Sequence, residues 1–283
     1  VRERRTVEMI GRIAAPILLY GLLAMIYPKL MGIVSGGRLL EPEAGMWLLT
    51  AGNFFMLPVF WRIYRQDRGM RELKRMKVNG ADGQLYKARE RKTDHRFEIR
   101  EMLLAVLGAV CISRGMNYVL ALTPLPYWFP GYETASQEMY RCSLLSQIAA
   151  GCISAPLLEE MLMRGVLYGR LREFIKSPRT AMLVNGLLFG LFHGNVVQGM
   201  YAFVMGIFFA LLYEVYDSLI LPVTAHAAAN GISLLAGQFS GSGGLWKLPG
   251  LYELVTAGFL LAGMGCFCCF RRKMYRRQEP LAR

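Results

Sequence analysis

Glu159, Glu160 and Arg164 form the pattern Glu-Glu-x-x-x-Arg, Phe189 and His193 form Phe-x-x-x-His, and His226 and Asn230 form His-x-x-x-Asn. On a helix, each four-residue spacing puts both ends of the pattern on one face. Glu160 can therefore pair along its helix with Arg164, in the favoured order with the acid N-terminal. Glu159, about 100° around the same helix, is left to point elsewhere. Phe189 offers an apolar wall one turn below His193, and the three alanines between His226 and Asn230 let another helix or a substrate backbone come close. A carboxylate beside an imidazole can polarise a water, while a second imidazole and an amide can donate hydrogen bonds to an oxyanion. Together they are equipment for peptide hydrolysis without a Ser or Cys nucleophile.

The elements that must position these groups are membrane helices. In a chain of 283 residues, 54% are hydrophobic and the mean hydropathy is +0.31. The apolar residues run on in long stretches instead of alternating as in half-buried elements. That excludes a soluble globular enzyme, and the absence of low-complexity tracts or a fixed repeat excludes collagenous, disordered and repeat classes. Stretches near Ile10 to Val34, Ala44 to Trp61, Met102 to Leu122, Ser143 to Tyr168, Thr180 to His193, Val197 to Tyr216, Ser218 to Gln238 and Leu251 to Phe270 give about eight spans. They lack the dyad alternation of barrel strands, so the expected fold is all-α, a polytopic membrane helix bundle. The six cysteines lie in or beside these stretches and suggest no disulfide framework.

Charge fixes the expected orientation. Of 33 Lys and Arg, 26 fall on one side of an eight-span arrangement and four (Lys29, Arg38, Arg141, Lys247) on the other, with Arg12, Arg114 and Arg164 inside spans. Basic residues gather on the cytoplasmic side, so both termini are expected there. The formal charge of +13 then reflects topology and attraction to anionic lipid, with no role for nucleic acid. Three segments follow. Residues 1–101 hold two accessory spans and a basic cytoplasmic hairpin broken at Asn79 to Gly83, 102–240 hold a five-span core containing every motif, and 241–283 hold the last span and a basic tail. The outer loop from Thr123 to Arg141, with Tyr127, Trp128 and Phe129, reads as an interfacial belt.

Depth gives an independent check. Glu159 lies thirteen residues from the inner helix end near Arg172, His193 thirteen from Thr180 and Asn230 thirteen from Asp217, each about 20 Å at 1.5 Å per residue. His226 lies nine residues in, about 14 Å. Polar groups in a bilayer are costly, about 2.5–3.5 kcal/mol each, so their convergence on one layer calls for a reason. Singly, each reads as interhelical glue; jointly they read as a site. Glu160 with Arg164, and Phe189, read as its structural support.

At these residues the sequence resembles the CPBP family of intramembrane proteases, which includes type 2 CAAX prenyl endopeptidases and bacteriocin-processing or immunity proteins. The family pattern is EExxxR, FxxxH and HxxxN or HxxxD, met here in order over about 143–238. The resemblance implies an intramembrane endopeptidase in which Glu159 and His193 activate water and His226 and Asn230 stabilise the oxyanion. It implies peptide or protein substrates that are hydrophobic or lipidated, membrane lipid as the surroundings, and a bacterial or archaeal cell membrane as the location. No cofactor is favoured. Zinc is the alternative, with Glu159, His193 and His226 as ligands, although the sequence has no HExxH. The competing functional readings are a non-catalytic membrane adaptor or immunity protein of the same family and, third, a proton-coupled transporter.

The charge asymmetry makes a topological prediction. In a cysteine-free background, single cysteines near Asn79 and near Pro280 are shielded from an impermeant reagent added to sealed cells, while one near Ser242 is labelled. Labelling near Asn79 would refute the orientation.

Overall fold

The computed structural model describes residues 2–34, 41–79, 97–129, 131–238 and 250–278. The expected break at Asn79 to Gly83 and the second arm of the basic hairpin fall almost wholly outside these residues. Among the described residues there are ten helices and no strands. They are α1 (Arg2–Val34), α2 (Pro42–Asn79), α3 (Ile99–Ala121), α4 (Leu125–Trp128), α5 (Gly131–Arg141), α6 (144–174), α7 (Pro178–Phe192), α8 (Val196–Tyr216), α9 (Ile220–Gln238) and α10 (Leu251–Gln278). All backbone pairing stays within segments, as a lipid environment requires.

Six helices are long and apolar enough to cross a membrane: α1, α2, α3, α8, α9 and α10. The fourth and fifth expected spans are the helices α6 and α7, which do not meet that standard for physical reasons. α6 carries the polar site residues and is largely enclosed by protein from Leu158 to Gly169, and α7 has 15 residues. Such helices need not be apolar all round, because their neighbours supply the apolar surroundings that lipid supplies elsewhere. By contrast α1 faces outward, with Leu18, Leu22, Met25 and Ile33 exposed. Between α3 and α5, Tyr127 and Trp128 stand exposed on α4.

α6 is not a uniform helix. It runs as α-helix over Leu144–Gln147, π-helix over Ile148–Ser154, α-helix over Ala155–Glu160, π-helix over Met161–Tyr168 and α-helix over Gly169–Phe174. Such widened turns are rare and concentrate at functional sites, where they change the direction in which successive side chains leave the helix. Its N-terminus is capped by Ser143, whose Oγ accepts from Ser146 N, and from across the bundle by Glu43 of α2, which accepts from Ser143 N at 2.7 Å. Its C-terminal end is fastened by three ion pairs to three helices: Arg170 with Asp67 of α2, Arg172 with Glu214 of α8, and Glu173 with Arg12 of α1.

One hydrophobic core joins the three sequence segments, running from Met56, Phe60 and Tyr64 on α2 through Leu162, Leu167, Phe208 and Leu221 to Phe270 and Met274 on α10. α7 and α8 form a tight hairpin. Gly194, at φ 71°, makes the turn between them in a conformation that side chains with a Cβ rarely adopt. The two backbones then approach at small residues: a Cβ on Gly190 would meet Gly199 O at 2.7 Å, and one on Gly206 would meet Gly186 Cα at 2.9 Å. The six cysteines are all free.

This close approach predicts a stability difference between glycines. Gly190→Val forces α7 from α8 against a backbone oxygen and lowers stability by about 1–3 kcal/mol. Gly258→Ala on α10, which has open space around it, leaves the thermal unfolding midpoint in detergent unchanged or slightly raised. Equal midpoints for the two variants would contradict the packing described.

Candidate active site

The site is built outward from Glu160, which is fully buried. Its Oε1 accepts from Arg164 Nη1 at 2.9 Å, one turn along α6, and from His226 Nδ1 at 2.8 Å, on α9. Arg164 is also fully buried. Its Nη2 donates to Gly206 O at 3.0 Å, and its guanidinium lies over the rings of Phe189 at 4.4 Å and Phe209 at 5.3 Å. The glycine-lined approach of α7 to α8 matters here because it carries both the accepting carbonyl and the ring of Phe189 to the cation. A buried charge is tolerable only with partners on several sides, and these provide them.

His226 is held from three directions. Phe209 stacks on it at 5.0 Å and 23°, Phe189 meets it edge-on at 5.8 Å, and Glu160 takes its Nδ1. Because an ionised carboxylate only accepts, the bond to Glu160 places a proton on Nδ1. Nε2 therefore faces the other way, 3.9 Å from Glu159 Oε2. The sequence suggested that the two glutamates point to different partners. The structure brings both to one imidazole, Glu160 on Nδ1 and Glu159 toward Nε2. Glu159 Oε2 is buried and has no hydrogen-bond partner in the protein, while the side chain as a whole keeps 19% exposure.

His193 stands at the C-cap of α7. Its Nδ1 lies 2.8 Å from Phe189 O, and since a carbonyl can only accept, the proton sits on Nδ1 and Nε2 carries the lone pair. Phe189 also meets the His193 ring edge-on at 4.8 Å, so this one side chain contacts both imidazoles and Arg164. His193 and Glu159 are not hydrogen-bonded to each other. Asn230 is directed to a different partner, with Nδ2 donating to Gly151 O at 2.8 Å in the first π-helical segment of α6.

Among the described residues no three His, Cys, Asp or Glu side chains converge to hold a metal ion. In Glu159, His193 and His226, the set considered for zinc, both imidazoles have Nδ1 engaged with the protein, His193 by Phe189 O and His226 by Glu160.

Several participants had no signal in the sequence. Phe209 and Gly206 lie in α8, an almost wholly apolar span in which no residue stands out. The Glu160–His226 bond joins residues 66 apart, on helices whose relative rotation sequence periodicity does not specify.

Comparison with known proteins bears on the same segment. Residues 141–232 match the family described as Type II CAAX prenyl endopeptidase Rce1-like, an interval that contains all seven motif residues from Glu159 to Asn230. The chain is also similar to the membrane-embedded CAAX protease MroQ of Staphylococcus aureus (strain USA300), 34% identical over 88 residues, covering 29% of this chain and 36% of the relative. The match thus spans about a third of that relative's length. No solved structure matches the chain significantly.

The network separates two neighbouring residues by consequence. Glu160→Ala leaves Arg164 and His226 Nδ1 without their acceptor in a fully buried position, and stability falls by about 2–4 kcal/mol. Glu159→Gln removes a carboxylate with an unpartnered oxygen, and the thermal unfolding midpoint in detergent stays within a degree or two of the parent. Equal losses in both variants would contradict the assignment of the structural role to Glu160 alone.

Proposed function

We infer, from a multi-pass membrane protein whose residues 141–232 carry the sequence of an Rce1-like protease domain of the CPBP type, that this chain is an intramembrane endopeptidase. The observation that carries the reading is the Glu159 carboxylate: one buried oxygen without a protein partner, facing the Nε2 of an imidazole that is itself fixed by a second carboxylate.

Glu159 takes a proton from water, with the lone pair on His193 Nε2 as the second basic group at the site. The hydroxide oxygen adds to the carbonyl carbon of the scissile peptide. With a proton on each ring nitrogen, His226 brings the summed charge of Glu159, Glu160, Arg164 and His226 to zero and offers Nε2–H to the oxyanion. Asn230 has a second amide N–H beyond the one bonded to Gly151 O and is the other candidate donor. Collapse of the tetrahedral species breaks the C–N bond, and the proton held at the base passes to the departing amine. Enclosure in protein and lipid strengthens each of these interactions relative to water. Substrates are hydrophobic or lipidated peptides, since the helices around the site present apolar surfaces to lipid. The bond from Asn230 to Gly151 O also supports a tie between α9 and α6, which is what a non-catalytic adaptor would need, so the Asn230 variant discriminates.

The test uses the full-length protein purified in detergent, with a substrate identified from peptides that accumulate in cells carrying Glu159→Gln. Hydrolysis falls by about 10²–10⁴ fold in Glu159→Gln and by a smaller factor in Asn230→Ala. Activity persists in strong chelator. Loss on chelation with recovery on zinc addition would replace the water-activating glutamate by a metal-bound water, and parental cleavage by Glu159→Gln would favour the adaptor.

A further inference from the structure

Where α2 meets the C-terminal ends of α6 and α8, the structure holds a cavity of about 330 Å³, large enough for a small ligand. Gly169 lines it, ten residues or about 15 Å along α6 from Glu159, so it is separate from the site described above. Its level follows from α8, whose 21 residues from Val196 to Tyr216 make about 30 Å, the thickness of the hydrocarbon core of a bilayer. The cavity lies against the last turn of that helix and against Asp217, the first residue beyond it. At that height the chain leaves hydrocarbon for the headgroup layer.

The polar lining of the cavity does not satisfy itself. Arg71 of α2 lays its guanidinium against α6, where Gly169 makes room: a Cβ there would collide with Arg71 Nη1 and Cζ. That Nη1 is buried without a hydrogen-bond partner, and no acid of the lining lies within ion-pair distance of Arg71. Tyr213 of α8 is 4% exposed, and its Oη is also buried and unpartnered. Two of the three lining acids are already taken, Glu214 by Arg172 and by the Tyr168 hydroxyl at 2.8 Å, and Glu173 by Arg12. Asp217, which ends α8 in the left-handed conformation at φ 47°, stands outside those pairs. The unused groups are therefore a guanidinium with a phenol, and one carboxylate. A simple anion would meet Asp217 and a simple cation would meet Arg71, whereas a zwitterion satisfies both. Guanidinium and phenol donors suit phosphate oxygens, and a carboxylate accepts from an ammonium. We propose that this cavity binds a phosphate ester carrying a primary ammonium, with Arg71 and Tyr213 on the phosphate and Asp217 on the ammonium. The headgroup of phosphatidylethanolamine and soluble glycerophosphoethanolamine share this chemistry. The proposal does not rest on the endopeptidase reading.

The test uses the full-length protein, purified in detergent and stripped of lipid. It is titrated by native mass spectrometry with phosphatidylethanolamine, phosphatidylcholine, phosphatidylglycerol and glycerophosphoethanolamine, and the unfolding midpoint is followed in parallel. Phosphatidylethanolamine is expected to bind saturably and to raise the midpoint as its concentration rises. It binds about tenfold more tightly than phosphatidylcholine, whose quaternary ammonium has no N–H for Asp217, and than phosphatidylglycerol, which has no ammonium. Arg71→Gln weakens it about tenfold, as does Tyr213→Phe, which removes only a hydroxyl. Asp217→Asn abolishes the preference over phosphatidylglycerol. Glycerophosphoethanolamine binding as tightly as the lipid supports the site with a soluble ester as its ligand, and binding of the lipid alone supports it as a lipid site. Absence of saturable binding by both overturns the proposal, as does equal affinity for the three lipids. Parental affinity in Arg71→Gln also overturns it, and if that variant does not fold, parental affinity in Tyr213→Phe does so.

Discussion

A buried cation fixes this molecule. Arg164 lies wholly inside a helix bundle, and the free energy of taking a guanidinium out of water must be offset by groups arranged around it. Glu160 comes from its own helix, Gly206 O and Phe209 from α8, and Phe189 from α7. The same Glu160 oxygen takes Nδ1 of His226 and thereby sets the rotation of α9. Four helices are registered against one charge, and the register places Nε2 of His226 opposite Glu159. The pairing of two adjacent glutamates with one imidazole depends on where α6 widens: Glu160 is the last residue of an α-helical stretch between two π-helical ones. Straightening either widened segment would alter how these side chains leave the helix.

The division of labour follows from burial. Each glutamate has an Oε2 without a hydrogen-bond partner, but Glu160 is closed off with its Oε1 taking two donors, which suits a structural anion, while Glu159 retains exposure. The two histidines differ in the same sense. Both have Nδ1 tied down, His226 by a carboxylate and His193 by a backbone carbonyl, so one ring is paired with an anion and the other with a neutral dipole. Groups of the same chemical type are thus set to different tasks by their partners. Around the site, ion pairs at one end of α6 and the Glu43 cap at the other hold the widened helix at both ends.

Much of this was legible in the sequence, because lipid imposes simple rules. Long apolar stretches located all the helices that contain motif residues, and the i,i+4 spacing correctly paired Glu160 with Arg164. The family resemblance, drawn over about 143–238, agrees with a matched interval of 141–232. What periodicity could not supply was the rotation of one helix against another. Asn230 shows this: its spacing from His226 gives no sign that its amide bonds Gly151 O of α6. The π-helical segments have no compositional signature. Phe209 and Gly206 are equally ordinary in sequence and become specific only when α7 and α8 close together.

The claim on which the rest depends is that Glu160 binds His226 and Arg164 as one unit. A double-mutant cycle measures it directly, with Glu160→Gln, His226→Asn and the double variant unfolded by detergent titration in lipid bicelles. A shared buried network predicts strong non-additivity, with a coupling of about 1–3 kcal/mol between positions on two different helices. Losses that add within about 0.3–0.5 kcal/mol would mean that the two residues stabilise the protein independently, and would contradict the account.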